Sequence, residues 1–291
     1  GYFVMTMPRS FILGMVLTGL CAAESARAGL IAYDQFAGYT DGQLVGQGKG
    51  FGWGTNVWGG NTHMQVSGAG GLTFPGIVGA GGGGDTNSGA SADNDGVLNR
   101  NLASPVTAPG TYYLGFLYQM SGIPHNAAVR IGDTDASSPE QIFGGAWNSE
   151  FAWQLAKRDG GNWSDESTGI TKTTNVTHFV MKVDLVDGVD DSAELFVNPA
   201  NAAALAGSPH AIVHFDDDFD GIQNIAIVLT NQHNSLGDFS FDEIRLGTEA
   251  SDMFSAVPEP SSLAVATVAL VGFAVLRRRN RRRMRQSNTH Q

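Results

Sequence analysis

The run Asp216-Asp217-Asp218-Phe219-Asp220-Gly221 is the densest set of oxygen ligands in the chain. Asp216, Asp218 and Asp220 stand at alternate positions with Gly221 directly behind them. Three carboxylates can therefore converge on one hard cation while the glycine permits a sharp turn. That spacing is the chemistry of a calcium loop and makes calcium the one cofactor to consider. The twelfth position of such a loop would be Ile227 rather than a bidentate Glu, so the run is not an EF-hand. Asp187, Asp190 and Asp191 are further carboxylates that could join it, and a solvated acidic turn is the alternative. Asp93-Asn94-Asp95-Gly96 and Asp133-Thr134-Asp135 read as turn chemistry.

Four tryptophans carry the second kind of chemistry. Trp53, Trp58, Trp147 and Trp163 lie in or beside glycine-rich stretches, where turning the chain needs no large ring. An indole face stacks on the apolar C–H face of a sugar, which makes these four the carbohydrate-binding candidates; packing beneath a long loop is the alternative for each. Trp153 falls in an alternating pattern and reads as core.

Nucleophilic and acid–base catalysis find little material. Glu140, Glu150, Glu166, Glu194 and Glu243 form no paired-carboxylate run along one strand. Asp242 and Glu243 are adjacent, so a regular strand would point them to opposite faces. The histidines show no HExxH spacing, and no G-x-S-x-G elbow occurs. Gly46-x-Gly48-x-Gly50 has neither P-loop spacing nor the strand-turn-helix setting of a dinucleotide site. No catalytic residue is assigned.

The elements that must position these residues are strands. Tyr112, Leu114, Phe116 and Tyr118 alternate, as do Phe151, Trp153 and Leu155, then Phe179, Met181, Val183 and Leu185, then Ile225, Ile227 and Leu229. The segment Val186–Ser192 contains an Asp-Gly turn and predicts a hairpin into Ala193–Val197. In FSFDEIRL, Phe239 and Phe241 share one parity and Ile244 and Leu246 the other, which predicts a bulge near Asp242 or burial on both faces. Only Asn201–Ala206 looks helical. Residues 79–95 are polar and glycine-rich, a long surface loop. Short strands without helices predict an all-β, antiparallel β-sandwich.

Glycine supplies 39 of the 291 residues, so turns and irregular loops must be abundant. The formal net charge of −11 hides a split: residues 29–257 carry 26 acidic against 8 basic side chains, a net of −18, while arginines crowd the C-terminal end. An acidic body argues against nucleic acid as a partner. At the other end, Arg9, the apolar run 11–23 and Ala26-Arg27-Ala28 have the layout of a secretory signal cleaved before Gly29. Cys21 would leave with it, and the mature chain would then contain no thiol.

Near the C-terminal end, Pro258-Glu259-Pro260 precede the uncharged run 263–276, which would span about 21 Å as a helix. Arg277, Arg278, Arg279, Arg281, Arg282, Arg283 and Arg285 follow. That span is short of the ~20 residues usual for a membrane helix but, with its basic end kept cytoplasmic, reads as a membrane segment; a plain tail anchor or a basic nucleic-acid-binding tail is the alternative. The ordered set of proline-Glu-Pro, span and arginine cluster resembles the PEP-CTERM sorting signal. The resemblance implies export, capture at the inner membrane, cleavage by an exosortase, and a cell-surface or extracellular destination.

The body carries a second resemblance, to concanavalin A/laminin-G-like jelly rolls. It rests on Tyr33-Asp34-x-Phe36 with the Gly/Trp segment, on Leu195-Phe196-Val197-Asn198-Pro199, and on Phe241-Asp242-Glu243-Ile244-Arg245-Leu246-Gly247. The expected organisation is a signal peptide helix over 1–28, one β-sandwich over 29–250, a linker over 251–256, and the sorting signal with its short transmembrane helix over 257–285. The expected role is a structural or carbohydrate-binding surface or matrix protein, with an exosortase and extracellular polysaccharide as partners. The alternative is a secreted glycan-active hydrolase or lyase on the same fold.

Overall fold

The computed structural model describes residues 29–54, 57–60, 64–67, 71–77, 83–86, 96–120, 126–132, 140–147, 151–159, 162–188, 190–215, 219, 221–230 and 239–255. The signal segment and the sorting segment, with their expected helices, lie outside these residues, as do Asp216, Asp218, Asp220, Pro258, Glu259 and Pro260. Gly29–Ser255 forms one compact unit, and its apolar clusters are built from its own residues.

The described strands form two sheets, every pairing antiparallel. One contains β1 (Leu30–Asp34), β2 (Gly42–Gln43), β4 (Met64–Ser67), β5 (Gly83–Thr86), β7 (Gly110–Met120), β12 (Thr177–Leu185), β13 (Ser192–Val197), β14 (Ala211–His214) and β16 (Phe239–Gly247). Its order is β14-β13-β12-β7-β16-β5-β4-β2, with β1 also on β16. The other contains β3 (Gly59–Gly60), β6 (Gly96–Val106), β8 (Asn126–Gly132), β9 (Gln141–Ala146), β10 (Ala152–Asp159), β11 (Asn162–Thr171) and β15 (Ile222–Thr230), in the order β11-β10-β9-β8-β15-β6-β3. The protein is an antiparallel β-sandwich, as the strand pattern predicts. No α-helix occurs among the described residues; the helical stretch near 201 is the 3-10 helix Ala202–Ala206, capped by the Asn201 side chain.

The two inner faces make one core. Leu114, Phe116, Tyr118, Phe179, Met181 and Leu195 of the first sheet meet Val129, Ile131, Ile142, Trp153, Leu155 and Ile225 of the second. Trp153 is the hub, edge-on to Tyr118 at 5.4 Å and to Phe179 at 5.0 Å. Contact is close enough that a Cβ on Gly144 would sit 2.6 Å from Met181 Sδ. Phe151 departs from its expected place in this alternation: it precedes β10 and is 74% exposed.

Trp53 and Trp58 belong to the same core, so of their two sequence alternatives they adopt packing. Trp58 stacks on Phe36 at 6.0 Å and donates from Nε1 to Asp34 Oδ2 at 3.0 Å; Trp53 donates to the Tyr33 carbonyl at 3.0 Å. Asp34 also accepts from Arg100 Nη1 at 2.6 Å and from the Tyr39 hydroxyl at 2.7 Å. This buried pair ties β1 to β6 across the sandwich; burial pushes the Asp34 carboxyl up, while Arg100 and the other donors pull against that shift.

The last strand contains the bulge its parity switch predicts. Asp242 faces Leu117 while Arg245 faces Gly115, and Glu243 takes up the extra length at φ 54°. The expected linker over 251–256 is different. Residues 250–253 form a 3-10 helix, Met253 is buried against Val180, Phe196 and Leu205, and Arg245 Nη1 donates to the carbonyls of Asp252 and Ser255 at 3.3 and 2.5 Å. The chain stays a strap on the sheet through Ser255 because Met253 has an apolar slot to fill.

Candidate functional site

The outer face of the seven-stranded sheet carries the arrangement with most chemical potential. On β9, β10 and β11, pairing sets Gln141 beside Arg158 and Arg158 beside Trp163, then Phe143 beside Ala156 and Ala156 beside Asp165. Period-two alternation sends all of these to the face opposite Ile142 and Leu155, which lie in the core. Ala128, Ala156, Ala226 and Gly145 keep that floor low, leaving space above it for large rings.

Three rings fill the space. Phe143 lies 4.7 Å from Trp147 and 5.0 Å from Trp163, and the two indoles stack at 5.1 Å with 17° between their planes. Trp147 comes from the residue after β9 and is partly buried. Trp163 comes from the edge strand and is half exposed, and the Arg158 guanidinium lies 5.6 Å over its ring. Trp163 was expected in or beside a loop; it stands on a ten-residue strand, β11, that has no apolar alternation because both its faces are largely exposed. The acidic Asp165 and Glu166 on this edge hinder pairing with another sheet.

The same sheet carries buried polar atoms that lack partners. Gln154 Nε2 donates to Asp165 Oδ2 at 2.7 Å, but Gln154 Oε1 has no hydrogen bond. Arg130 Nη2 donates to Asn224 Oδ1 at 3.4 Å, while Asn224 Nδ2 and Arg158 Nε have no partner. Leaving a buried amide unpaired costs about 1–3 kcal/mol, so such groups are uncommon in a face that serves packing alone. Rings that accept C–H faces next to the Arg158 guanidinium suit a polyhydroxylated ligand.

The calcium candidates Asp216, Asp218 and Asp220 lie outside the described residues. Their expected helper Asp191 is engaged elsewhere: its two carboxylate oxygens accept from Val186 N at 2.6 Å and Phe219 N at 2.7 Å. It holds the backbone at Phe219. Among the described residues no three His, Cys, Asp or Glu side chains are grouped as metal ligands.

A second polar cluster was not expected from the sequence. Because the bulge breaks the alternation, Asp242 and Glu243 do not oppose one another across the strand; both act electrostatically on the Tyr33 hydroxyl. That oxygen lies 2.8 Å from Glu243 Oε2 and 2.7 Å from Gln35 Oε1, and Arg245 Nη2 donates to Glu243 Oε2 at 2.6 Å. Burial, then the Glu243 charge, pushes the Asp242 carboxyl up to about 8. His178, set between Phe74 and Phe254, is pushed down to about 3 by burial and then by Arg245. All five titratable side chains are buried, and Arg245 also holds the strap, so the cluster is a clamp rather than an open site.

Residues 256–279 match the PEP-CTERM protein-sorting motif. The chain thus carries the signal of an exported, exosortase-sorted protein that is membrane-anchored before processing. No curated protein sequence matches the chain. Among solved structures it is similar to an alginate lyase mutant in complex with alginate tetrasaccharide (12% identity, TM-score 0.45, covering 74% of this chain and 95% of that one). It is also similar to an endo-β-1,4-glucuronan lyase from Trichoderma reesei (11%, TM-score 0.46, 76% and 96%). A third is domain 4 of an extracellular arabinanase from Geobacillus stearothermophilus in complex with arabinotriose (13%, TM-score 0.43, 78% and 98%).

Proposed function

We propose that this chain is an exosortase-processed protein of the cell surface or extracellular matrix, and that its β-sandwich binds carbohydrate on the outer face of the seven-stranded sheet. The observation that carries this reading is the Trp147–Trp163 stack, half open at Trp163, with the Arg158 guanidinium over the Trp163 ring. Stacked indoles give a sugar ring a flat apolar surface, and the guanidinium beside them offers donors to its hydroxyls. Trp53 and Trp58 support the fold in this reading and do not touch ligand.

A glycan array and a reducing-sugar assay on Gly29–Ser255 test it. Binding without sugar release is expected, and Trp163→Ala should weaken that binding about tenfold, or about 1.4 kcal/mol, with the β-sheet circular dichroism unchanged. Equal binding by the variant would remove the site, and release of reducing sugar would replace a binding protein by an enzyme. The aspartates at 216, 218 and 220 are proposed as a calcium loop. Calorimetric heat on adding millimolar calcium, lost in Asp218→Asn, is the expected result; no heat and no rise in Tm would overturn it.

A further inference from the structure

Gly29 is the residue that the expected signal-peptide cleavage would make the first of the chain. Cleavage after Ala26-Arg27-Ala28 would turn its amide nitrogen into an α-ammonium, and the strap Glu249–Ser255 beside it leads straight into the sorting motif that begins at 256. We propose that this α-ammonium is the counter-charge of Asp252 and Glu249, so that removal of the signal peptide locks the strap ahead of the sorting motif.

The geometry brings the groups together before any charge exists. Gly29 is pinned by its carbonyl, which accepts from Thr248 N at 2.8 Å and from Thr248 Oγ1 at 3.3 Å. Its Cα lies so close to the Asp252 carboxylate that a Cβ there would overlap Oδ2 and sit 2.8 Å from Glu249 Cγ. The nitrogen is one bond from that Cα. On the other side a Cβ on Gly247 would lie 2.6 Å from the same Oδ2. Two glycines therefore cradle this carboxylate, and any side chain at either position would expel it.

Asp252 is a buried carboxylate that lacks a cation. It is 9% exposed, accepts from Glu249 N at 3.2 Å, and forms no ion pair among the described residues. Burial, and beyond it the like charge of Glu249, pushes its carboxyl up. The neighbouring cation, Arg245 on β16, is committed to Glu243 through Nη2 and to the carbonyls of Asp252 and Ser255 through Nη1. Tyr113 on β7 and His178 on β12, against Phe254, are the other titratable groups at the strap, and the 3-10 helix Ala202–Ala206 brings none. A positive α-amine at Gly29 would complete this set. In the precursor the same nitrogen is a neutral amide, so amino-terminal cleavage becomes the step that consolidates the strap.

The test compares Gly29–Ser255 starting at Gly29 with the same unit starting at Ala28, which moves the amine one residue, ~3.8 Å, away. With a Gly29 start, the α-amine pKa read by nitrogen-15 NMR should lie about one unit above the ordinary ~7.7–8.0. It should return to the ordinary range with an Ala28 start or with Asp252→Asn. The Gly29 form should melt higher than the Ala28 form at pH 6.5. That gap should be present below the ordinary amine pKa and disappear as the pH rises through the elevated one, since only the protonated amine pairs. It should also vanish in Asp252→Asn; if that variant fails to fold, Glu249→Gln should reduce the gap instead. An ordinary amine pKa in the Gly29 form would overturn the proposal. So would a melting gap that survives both substitutions, or amino-terminal sequencing of the exported protein that gives another first residue.

Discussion

Asp242 and His178 are governed by one cause with opposite signs. Burial disfavours charge, so the carboxyl rises to about 8 and the imidazole falls to about 3. For Asp242 the folded value exceeds the unfolded one near 3.8, so its contribution is complete below about pH 4 and is lost as pH rises to about 8. For His178 the folded value lies below 6.5, so its contribution is complete above 6.5 and is lost as pH falls toward 3. The slopes oppose each other between about pH 4 and 6.5. From these two groups stability should be level there, falling on the alkaline side through Asp242 and on the acid side through His178, each by up to about 1.4 kcal/mol per pH unit. Urea unfolding across pH 3–9 checks this, and Asp242→Asn should flatten the limb above pH 6.5. A limb that keeps its slope in that variant would assign the loss to another group. Neither shift was legible in the sequence, where Asp242 reads as one more acid and His178 as an isolated histidine, because both depend on what the chain folds over them.

At the level of elements, the strands that pack on one side declared themselves and those at the margins did not. Phe179, Met181 and Val183 alternate because only one face of β12 meets the opposite sheet, and Lys182 on the other face pairs with Asp184 and Glu194 at 2.8 and 3.2 Å. The bulge was legible from Phe241 and Ile244, two core residues of opposite parity. By contrast β11 (NWSDESTGIT) shows no period, since an exposed edge imposes none, and so the setting of Trp163 was missed. The strap was missed for a related reason: a single buried Met253 among polar residues has no pattern to reveal. Met253→Ala should cost about 2–5 kcal/mol by emptying the slot against Gly115, Val180, Phe196 and Leu205. Limited proteolysis should then cut within residues 248–255 while the sheet signal persists; unchanged protection would mean that Arg245 alone holds the strap.

At the level of the whole molecule, pairing of β1 with β16 brings Leu30 against Gly247, so the first and last strands of the described unit lie side by side. Exosortase processing predicts that mature protein from the cell surface lacks the arginines at 277–285. Mass spectrometry of its C-terminus checks this, and peptides containing Arg277–Arg285 in released protein would contradict it. The sequence by itself determined the sorting motif, since an address is read from a linear order of prolines, apolar residues and arginines that needs no fold. It also determined the β-sandwich, because period-two alternation is a local consequence of burying one face. Only the tertiary structure decided which tryptophans pack and which remain open. Trp58 and Trp163 both stand among glycines and polar residues, and one closes the core because Asp34 and Phe36 meet it there. The other stands open because an edge strand has no further neighbour to cover it. Burial is a property of the assembled sheets, and no spacing along the chain encodes it.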